Sequence, residues 1–168
     1  MKKIIFKGSG VAIVTPMNQD GSINYEMMQR LIEFQIENKT DAIIVCGTTG
    51  ESATLSDQEK INLIDFTIKI VNNRIPVIAG TGGNNTKKSL DLSLKAEELG
   101  ANALLMVTPY YNKTSQKGLI AHYSYIADRV NLPIILYNVP SRTGMNISLD
   151  TYMDLSKHPR IVATKEAS

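Results

Sequence analysis

The feature that most constrains the fold is a short apolar run that recurs about every 30 residues. Each run is rich in β-branched residues, is bounded by Gly, Pro or Thr, and lacks a polar–apolar alternation. Continuous apolar runs are typical of strands buried on both faces of a parallel sheet. The sequence therefore predicts six strands: VAIVTP (11–16), AIIVCG (42–47), PVIAG (76–80), ALLMVTP (103–109), PIILYN (133–138) and IVATK (161–165).

Five stretches with helical periodicity separate these runs, beginning with NYEMMQRLIEFQIEN after the turn NQDG. Ser56 and Glu59 have the spacing of a capping box, which predicts a helix start at that point. The other predicted helix starts are Thr86, Thr114 or Ser115, and Ser148, with Gly100 and Pro159 as stop signals. Strands and helices thus alternate along the chain, which indicates an α/β fold with right-handed crossovers.

Two α/β architectures fit this alternation, a doubly wound open sheet and a (β/α)₈ TIM barrel. A dinucleotide-binding sheet needs G-x-G-x-x-G after its first strand, and VAIVTPMNQDG lacks that pattern. The glycines of GTGGNN (80–85) have a different spacing and predict a loop leading into a helix. A complete barrel has eight units in about 250 residues. If this chain of 168 residues belongs to a barrel, its six predicted strands are strands 1–6 of a single domain, and the barrel is incomplete.

Composition excludes several classes of function. The net charge is +2 and no basic cluster is present, which argues against a nucleic-acid partner. No apolar run approaches the roughly 18 residues of a membrane span. The single Cys46 cannot form an internal disulfide, so a reducing cytoplasm is the simplest compartment. His122 and His158 fall within or at the end of helices, so we expect no metal site.

The segments that follow the strands carry the candidate chemistry, because barrel active sites lie at the carboxyl ends of strands. GTTGES (47–52) follows strand 2 and can present backbone N–H groups and the hydroxyls of Thr48 and Thr49 to a small anion such as a carboxylate. A plain strand-to-helix turn is an equally good reading of this loop. It is not a Walker loop, because no Gly-Lys-Thr/Ser follows.

Lys165 at the end of the last apolar run is the sharpest feature. A strand-end lysine usually extends to solvent or pairs with a carboxylate, and Glu166 is adjacent. Neighbouring strand residues point to opposite faces, however, so Glu166 is poorly placed to neutralise the amine. Desolvation would lower the pKa of Lys165 and leave neutral amine to attack a carbonyl. Tyr137 and Tyr111, at neighbouring strand ends, could then move the protons that imine formation requires.

A set of motifs in this order resembles one known family: GVAIVTPM, CGTTGESATLS, PVIAGTGGNNT, VTPYYNKTSQKGL, YNVPSRTG and KEAS. They are similar to the dihydrodipicolinate synthase family over essentially all 168 residues. The resemblance implies a lysine-dependent (β/α)₈ lyase without a cofactor. Such an enzyme condenses pyruvate with L-aspartate 4-semialdehyde to 4-hydroxy-tetrahydrodipicolinate, in lysine and diaminopimelate biosynthesis.

The resemblance also implies roles for individual residues. Lys165 would form the Schiff base with pyruvate, whose carboxylate Thr48 and Thr49 would hold. Tyr137, Thr48 and Tyr111 would form a proton relay, with Tyr111 entering the site of the neighbouring subunit in a homodimer or homotetramer. Arg142 would receive the carboxylate of the semialdehyde, which suits its planar guanidinium.

Many members of the family bind L-lysine as a feedback inhibitor at the dimer interface. The matching positions here are Ser52, Ala53, Lys60, Asn84, Lys88 and Tyr110. Lysine-sensitive enzymes tend to carry an acidic residue at the position of Lys88 and a histidine at that of Lys60. A cation at Lys88 would repel the effector's ammonium groups, so we expect weak or no inhibition by lysine.

Two alternatives to the synthase remain open. N-acetylneuraminate lyase and 2-keto-3-deoxy sugar acid aldolases share the lysine and the GTTGE-like loop within the same superfamily. Arg142 in NVPSRTG and the pair Tyr110-Tyr111 favour the synthase. Family members run to roughly 290 residues, so this chain would lack the last two strands and the C-terminal helices. The second alternative is therefore a catalytically inert folding or assembly fragment.

Overall fold

The computed structural model describes residues 2 and 4–168. Strands and helices alternate along the chain, with two helices before the last strand. The elements are β1 (Gly10–Ala12), α1 (Tyr25–Glu37), β2 (Ala42–Val45), α2 (Asp57–Val71), β3 (Val77–Gly80), α3 (Thr86–Leu99), β4 (Ala103–Val107), α4 (Gln116–Ala127), β5 (Ile134–Asn138), α5 (Pro140–Thr143), α6 (Leu149–Leu155) and β6 (Ile161–Glu166).

The six strands form one parallel sheet in the order β1-β2-β3-β4-β5-β6. A doubly wound sheet would reverse its strand order at a switch point, and this sheet has no such reversal. Sequential parallel strands joined by helices form the wall of a barrel. The chain is therefore a partial (β/α)₈ barrel, as the sequence predicted, in which β1 and β6 are the edge strands among the described residues.

The two faces of the sheet have different cores. The outer face carries residues such as Ile43, Val45 and Leu104, which join the helices in one large buried cluster. The inner face carries a smaller cluster that includes Ala42, Ile78, Leu105, Ile135 and Tyr137. Because the two clusters alternate along β2, β3, β4 and β5, both faces of these strands are apolar, which explains the continuous apolar runs in the sequence.

Most helix starts agree with the predicted caps. Ser56 and Glu59 form a complete capping box at α2. Ser115 caps α4 and Ser148 caps α6. The exception is α3, where Asn85 is the N-cap and Thr86 is the first helical residue. The Asn85 side chain accepts from the backbone N–H of Lys88, and this displaces Thr86 from the predicted role.

The sequence analysis missed one helix and overextended several strands, β1 the most. The single turn α5 begins at Pro140 and ends at a left-handed Gly144, and it is too short for a periodic pattern. Strand β1 ends at Ala12, whereas the apolar run continues to residue 16. Beyond Ile13, whose N–H still donates to Ile44 O, the chain leaves the sheet and Thr15 Oγ1 instead donates to Gly50 O (2.7 Å). In the described part of the chain, no helix is long and apolar enough to cross a membrane.

Candidate active site

Lys165 and Tyr137 form a pair on the inner face of the sheet at the carboxyl ends of β6 and β5. The two residues are register partners, and Lys165 Nζ lies 4.5 Å from the centroid of the Tyr137 ring. The Lys165 side chain makes no ion pair or hydrogen bond with any described residue. Partial burial lowers the pKa of Lys165 below its ordinary 10.5. The arrangement supplies a desolvated amine beside a phenol, which suits nucleophilic attack on a carbonyl.

A β-bulge at Val162 directs Lys165 to this face. Ile161 pairs with Ile134 and packs in the outer core, but the next pair in the ladder joins Ala163 to Ile135 on the inner face. Strict alternation from Ile161 would place Lys165 on the outer face. The extra residue reverses that parity, as bulges beside functional sites often do.

The loop after β2 presents two unoccupied backbone donors toward the same end of the sheet. Cys46 adopts a positive φ of 56°, which turns the chain out of the strand. The N–H groups of Gly50 and Glu51 fold back onto the carbonyls of Gly47 and Thr48. The N–H groups of Thr48 and Thr49 donate to no acceptor among the described residues, and both side chains are exposed. The loop therefore offers two N–H groups and two hydroxyls to an anion.

A small cavity connects this loop to β5, the strand that carries Tyr137. It has a volume of about 20 Å³ and is lined by residues that include Thr48, Ser52 and Tyr137. Its floor is closely packed, because a Cβ atom on Gly80 would lie 2.1 Å from the Cys46 carbonyl oxygen. Glycine is thus required at the end of β3, a packing role that agrees with the predicted loop into α3. Burial raises the pKa of the Cys46 thiol to about 12, so this cysteine is not a nucleophile.

Two predicted site residues lie on the loops around this end of the sheet. Arg142 is exposed on α5, and it forms no ion pair with any residue in the described ranges. Tyr111 has a positive φ of 68°, and its side chain is 91% exposed. The structure does not bring Tyr111 to Tyr137 or Thr48 by a hydrogen bond within this chain. The predicted roles of Arg142 and Tyr111 stay predictions.

Five of the six predicted effector positions line a second cavity of about 190 Å³: Ser52, Lys60, Asn84, Lys88 and Tyr110. Ala53 is the one that does not. The sequence analysis missed Asp57, which lines the same cavity and lies between the two lysines. Its carboxylate is 3.3 Å from Lys88 Nζ and 3.8 Å from Lys60 Nζ. The cavity therefore contains two ammonium groups and one carboxylate.

A hydrogen-bond network on the outer face, directly behind Lys165, was also missed. Glu166 Oε1 accepts from Asn138 Nδ2 (2.8 Å), and Glu166 Oε2 accepts from the Tyr152 hydroxyl (2.8 Å). Burial raises the pKa of Glu166, but the hydrogen bonds from Tyr152 and Asn138 outweigh this and lower it overall. The opposite faces of Lys165 and Glu166 agree with the sequence prediction. Nothing in the sequence identifies Tyr152 as a partner, because it comes from α6.

Within residues 2 and 4–168, no three His, Cys, Asp or Glu side chains lie close enough together to hold a metal ion. Burial lowers the pKa of His122 to about 4. Its Nδ1 is 2.9 Å from the Thr86 hydroxyl oxygen, on the helix side of the sheet. His158 Nε2 lies 3.1 Å from Asp128 Oδ1. Neither of these histidine contacts involves Lys165.

The sequential parallel sheet, with its polar residues at the carboxyl ends of the strands, defines a protein of the (β/α)₈ barrel class. A model of the Dihydrodipicolinate synthetase family matches residues 5–168. The chain belongs to this family, which confirms the resemblance seen in the motifs.

Relatives in the family are similar over nearly the whole chain. The chain is 59% identical over 167 residues to a 4-hydroxy-tetrahydrodipicolinate synthase of Clostridium perfringens (strain 13 / Type A), covering 98% of this chain and 56% of that protein. It is 59% identical over 164 residues to the enzyme of the same name from Caldicellulosiruptor saccharolyticus, with 98% and 56% coverage.

A solved structure gives the same result for the fold. The crystal structure of the chloride-inhibited dihydrodipicolinate synthase from Acinetobacter baumannii complexed with pyruvate matches with a TM-score of 0.96 and 50% sequence identity. The match covers 98% of this chain and 56% of that one. The chain thus spans little more than half the length of each of these relatives.

Proposed function

We propose that the whole protein condenses pyruvate with L-aspartate 4-semialdehyde to give 4-hydroxy-tetrahydrodipicolinate, through a Schiff base on Lys165. The observation that carries this proposal is the desolvated amine of Lys165 beside Tyr137 at the carboxyl end of the barrel wall. Family membership and the synthase names of the relatives support the choice of reaction. The reaction would serve lysine and diaminopimelate biosynthesis.

Imine formation begins when neutral Lys165 attacks the C2 carbonyl carbon of pyruvate, forming a C–N bond and an alkoxide. The attacking nitrogen then loses a proton, which passes to that oxygen. A second proton converts the hydroxyl to water, and water leaves as the nitrogen lone pair forms the C=N bond. Each of these steps moves a proton, and Tyr137, with Thr48 and Tyr111, is proposed as the relay. The exposed hydroxyl of Thr48 and the buried Tyr137 line one cavity, which supports their part in it.

The carbon–carbon bond then forms from the enamine. Loss of a proton from the pyruvate methyl group converts the imine to an enamine, whose carbon attacks the aldehyde of the second substrate. The amino group of that substrate then displaces the Lys165 nitrogen and closes the ring, which regenerates the free lysine. No electron acceptor is needed, because every bond change is a polar addition or elimination. This balance is consistent with our expectation that no cofactor takes part.

Binding of the two carboxylates is assigned to the loops. The free N–H groups of Thr48 and Thr49 support a role in holding the carboxylate of pyruvate, since backbone donors at a turn suit a small anion. Arg142 is proposed to hold the carboxylate of the semialdehyde. Its exposed guanidinium has no protein partner among the described residues, which supports this role.

We also propose that the protein is a homodimer or homotetramer, in which Tyr111 acts in the neighbouring subunit's site. Support comes from the 91% exposed side chain of Tyr111, which the fold of one chain leaves outside the Lys165 site. Residues 1–168 are proposed to be the N-terminal part of one barrel domain. A location in the cytoplasm stays a prediction from the sequence.

Trapping of the imine tests the proposal. The protein in its whole natural length is incubated with pyruvate, reduced with borohydride and weighed by intact mass spectrometry, and the site is found by peptide mapping. We expect one permanent adduct on Lys165, followed by product formation when the semialdehyde replaces borohydride. A folded sample that forms no adduct would favour the inert alternative. An adduct together with cleavage of N-acetylneuraminate or a keto-deoxy sugar acid would favour the other aldolases.

A further inference from the structure

We propose that Glu166, Asn138 and Tyr152 form a positioning clamp on the outer face of the barrel wall, which holds β6 in the register that directs Lys165 inward. These residues do not touch the reacting atoms in this arrangement. The catalytic importance of the clamp rests on the proposed function of Lys165, whereas its effect on register does not.

The clamp lies directly behind the Lys165–Tyr137 pair. In the ladder between β5 and β6, Tyr137 pairs with Lys165 and the next pair joins Asn138 to Glu166. The inward pair has no hydrogen bond between its side chains, while the outward pair is linked through Asn138 Nδ2 and Glu166 Oε1 (2.8 Å). Tyr152 adds a second link from α6 to Glu166 Oε2 (2.8 Å). The strand end is thereby tied to both β5 and the helical layer.

Register matters at this strand end because of the bulge at Val162. A bulge interrupts the regular ladder, so the register of the four pairs beyond it, from Ile135–Ala163 to Asn138–Glu166, is not set by the pair before it. A slip of one residue would exchange the two faces, turning Glu166 inward and Lys165 outward. Glu166 cannot be turned inward without losing its bonds to Asn138 and Tyr152. The clamp thus opposes the slip that would remove the amine from the site.

Asn138 extends the clamp to the loop that carries Arg142. Its side chain is 1% exposed and uses both of its amide donors, the second to Asn146 Oδ1 (2.7 Å). Its Oδ1 accepts from the backbone N–H of Ile147 (3.2 Å). The segment from α5 returns to the barrel wall at this point. One buried amide therefore links the strand of Lys165 to the end of the Arg142 loop.

The clamp also keeps a carboxylate away from the amine. Besides the two side-chain donors, Glu166 Oε1 accepts from the backbone N–H groups of Ala167 and Ser168. With its oxygens occupied on the outer face, Glu166 is withheld from an ion pair with Lys165. An ion pair of that kind would favour the charged ammonium, which is not nucleophilic.

The test uses Glu166→Ala, Glu166→Gln and Tyr152→Phe in the protein at its whole natural length. The rate of borohydride-trapped adduct formation is measured against pyruvate concentration and pH. We expect Glu166→Ala to lower the maximal rate about 10- to 100-fold, because the amine is misplaced. Glu166→Gln keeps the shape and an acceptor oxygen for Asn138, so it should restore the rate to within about threefold of wild type. Tyr152→Phe should lie between the two.

A second measurement does not depend on pyruvate. Competitive labelling with acetic anhydride, followed by peptide mapping, reports how accessible and how basic Lys165 is. Above the pKa of Lys165, where the amine is neutral in every variant, the clamp predicts faster labelling in Glu166→Ala than in wild type, because an amine turned out of the site is more accessible. Glu166→Gln should label like wild type. Glu98→Ala and Tyr125→Phe are the matched controls, since both side chains are exposed and lie outside the proposed site.

Two outcomes would overturn the clamp. One is wild-type trapping and labelling in Glu166→Ala. The other is a Glu166→Gln variant as slow as Glu166→Ala with a shifted pH midpoint, which would assign the effect to charge instead. If wild type forms no adduct with pyruvate, the proposed function fails, and labelling still decides the clamp. Should Glu166→Ala fail to fold, Glu166→Gln and Tyr152→Phe decide it by the same two measurements.

Discussion

The protein places lysines in two contrasting settings. Lys165 lies on the inner face of the barrel wall beside a phenol, and no carboxylate of the described residues pairs with it. Lys60 and Lys88 line a polar cavity and share the carboxylate of Asp57. Burial lowers the pKa of Lys165, whereas Lys88 is 70% exposed and paired. The same side chain is thus prepared for nucleophilic attack in one setting and for a solvated ion pair in the other.

The difference comes from the surrounding backbone. Strand alternation, corrected by the bulge at Val162, places Glu166 behind Lys165 and out of its reach. In the second cavity, Lys60 follows Asp57 by three residues on α2, and a helix brings residues at that spacing to the same side. Helix spacing thus gives Lys60 its carboxylate neighbour, whereas Lys88 on α3 meets the same carboxylate through the packing of α3 against α2.

Replacing the lysine of the first setting should give the largest effect. Lys165→Ala should abolish the pyruvate adduct, because the only proposed nucleophile is removed. Lys165→Arg keeps a cation and should abolish the adduct as well. Intact mass after borohydride reduction measures both variants. Adduct formation in either variant would show that another amine reacts. The intact masses of Lys60→Ala and Lys88→Ala would then identify it.

Removing the phenol beside Lys165 should give the next largest effect. Tyr137→Phe keeps the ring that packs on the inner face and removes the proposed proton donor. We expect adduct formation to slow by about 100-fold or more, in the range of general acid–base catalysis. The rate is measured by quenching with borohydride over time. Tyr125→Phe is the matched control, and equal rates in the two variants would contradict a relay through Tyr137.

The pH dependence of trapping tests the electrostatic part of the comparison. Burial favours the neutral form of Lys165, so half of the amine is neutral at a pH below 10.5. Below that midpoint, adduct formation should rise about tenfold per pH unit as the neutral fraction grows. A midpoint at or above 10.5 would mean that a carboxylate stabilises the ammonium, and the contrast between the two settings would be lost.

Breaking the shared ion pair should have only a small effect. Asp57 is 62% exposed and Lys88 is 70% exposed, and surface pairs of this kind contribute about 0–1 kcal/mol. Asp57→Asn should lower the free energy of unfolding by less than about 1 kcal/mol and leave adduct formation unchanged. Denaturant unfolding and the trapping assay measure the two quantities. A Lys88→Ala variant and the double variant isolate the coupling between the residues.

The smallest effect is expected from added L-lysine. The second cavity holds two ammonium groups against one carboxylate, so a ligand with two ammonium groups of its own is disfavoured. Initial rates should stay nearly constant as lysine is raised through the millimolar range. An inhibition constant below 1 mM, a threshold equivalent to roughly 4 kcal/mol of binding, would refute this prediction.

Several elements were predictable because local signals decide them. The apolar runs located all six strands, and the capping box at Ser56 located the start of α2. Loops after strands carry the candidate residues because parallel strands end at one edge. The predicted cap Thr86 was wrong, since Asn85 one position earlier has a better acceptor. Helix α5 was missed because one turn has no period to detect.

The sequence by itself determined the α/β class, the approximate strand positions and the candidate Lys165, since each depends on composition and spacing over a few residues. Only the tertiary structure decided the strand order, which distinguishes a barrel wall from a doubly wound sheet. It alone revealed the bulge at Val162 that turns Lys165 inward, and the contact of Tyr152 with Glu166. These features depend on pairing between distant segments. That pairing decides on which face of the sheet each side chain lies, and no local sequence pattern indicates it.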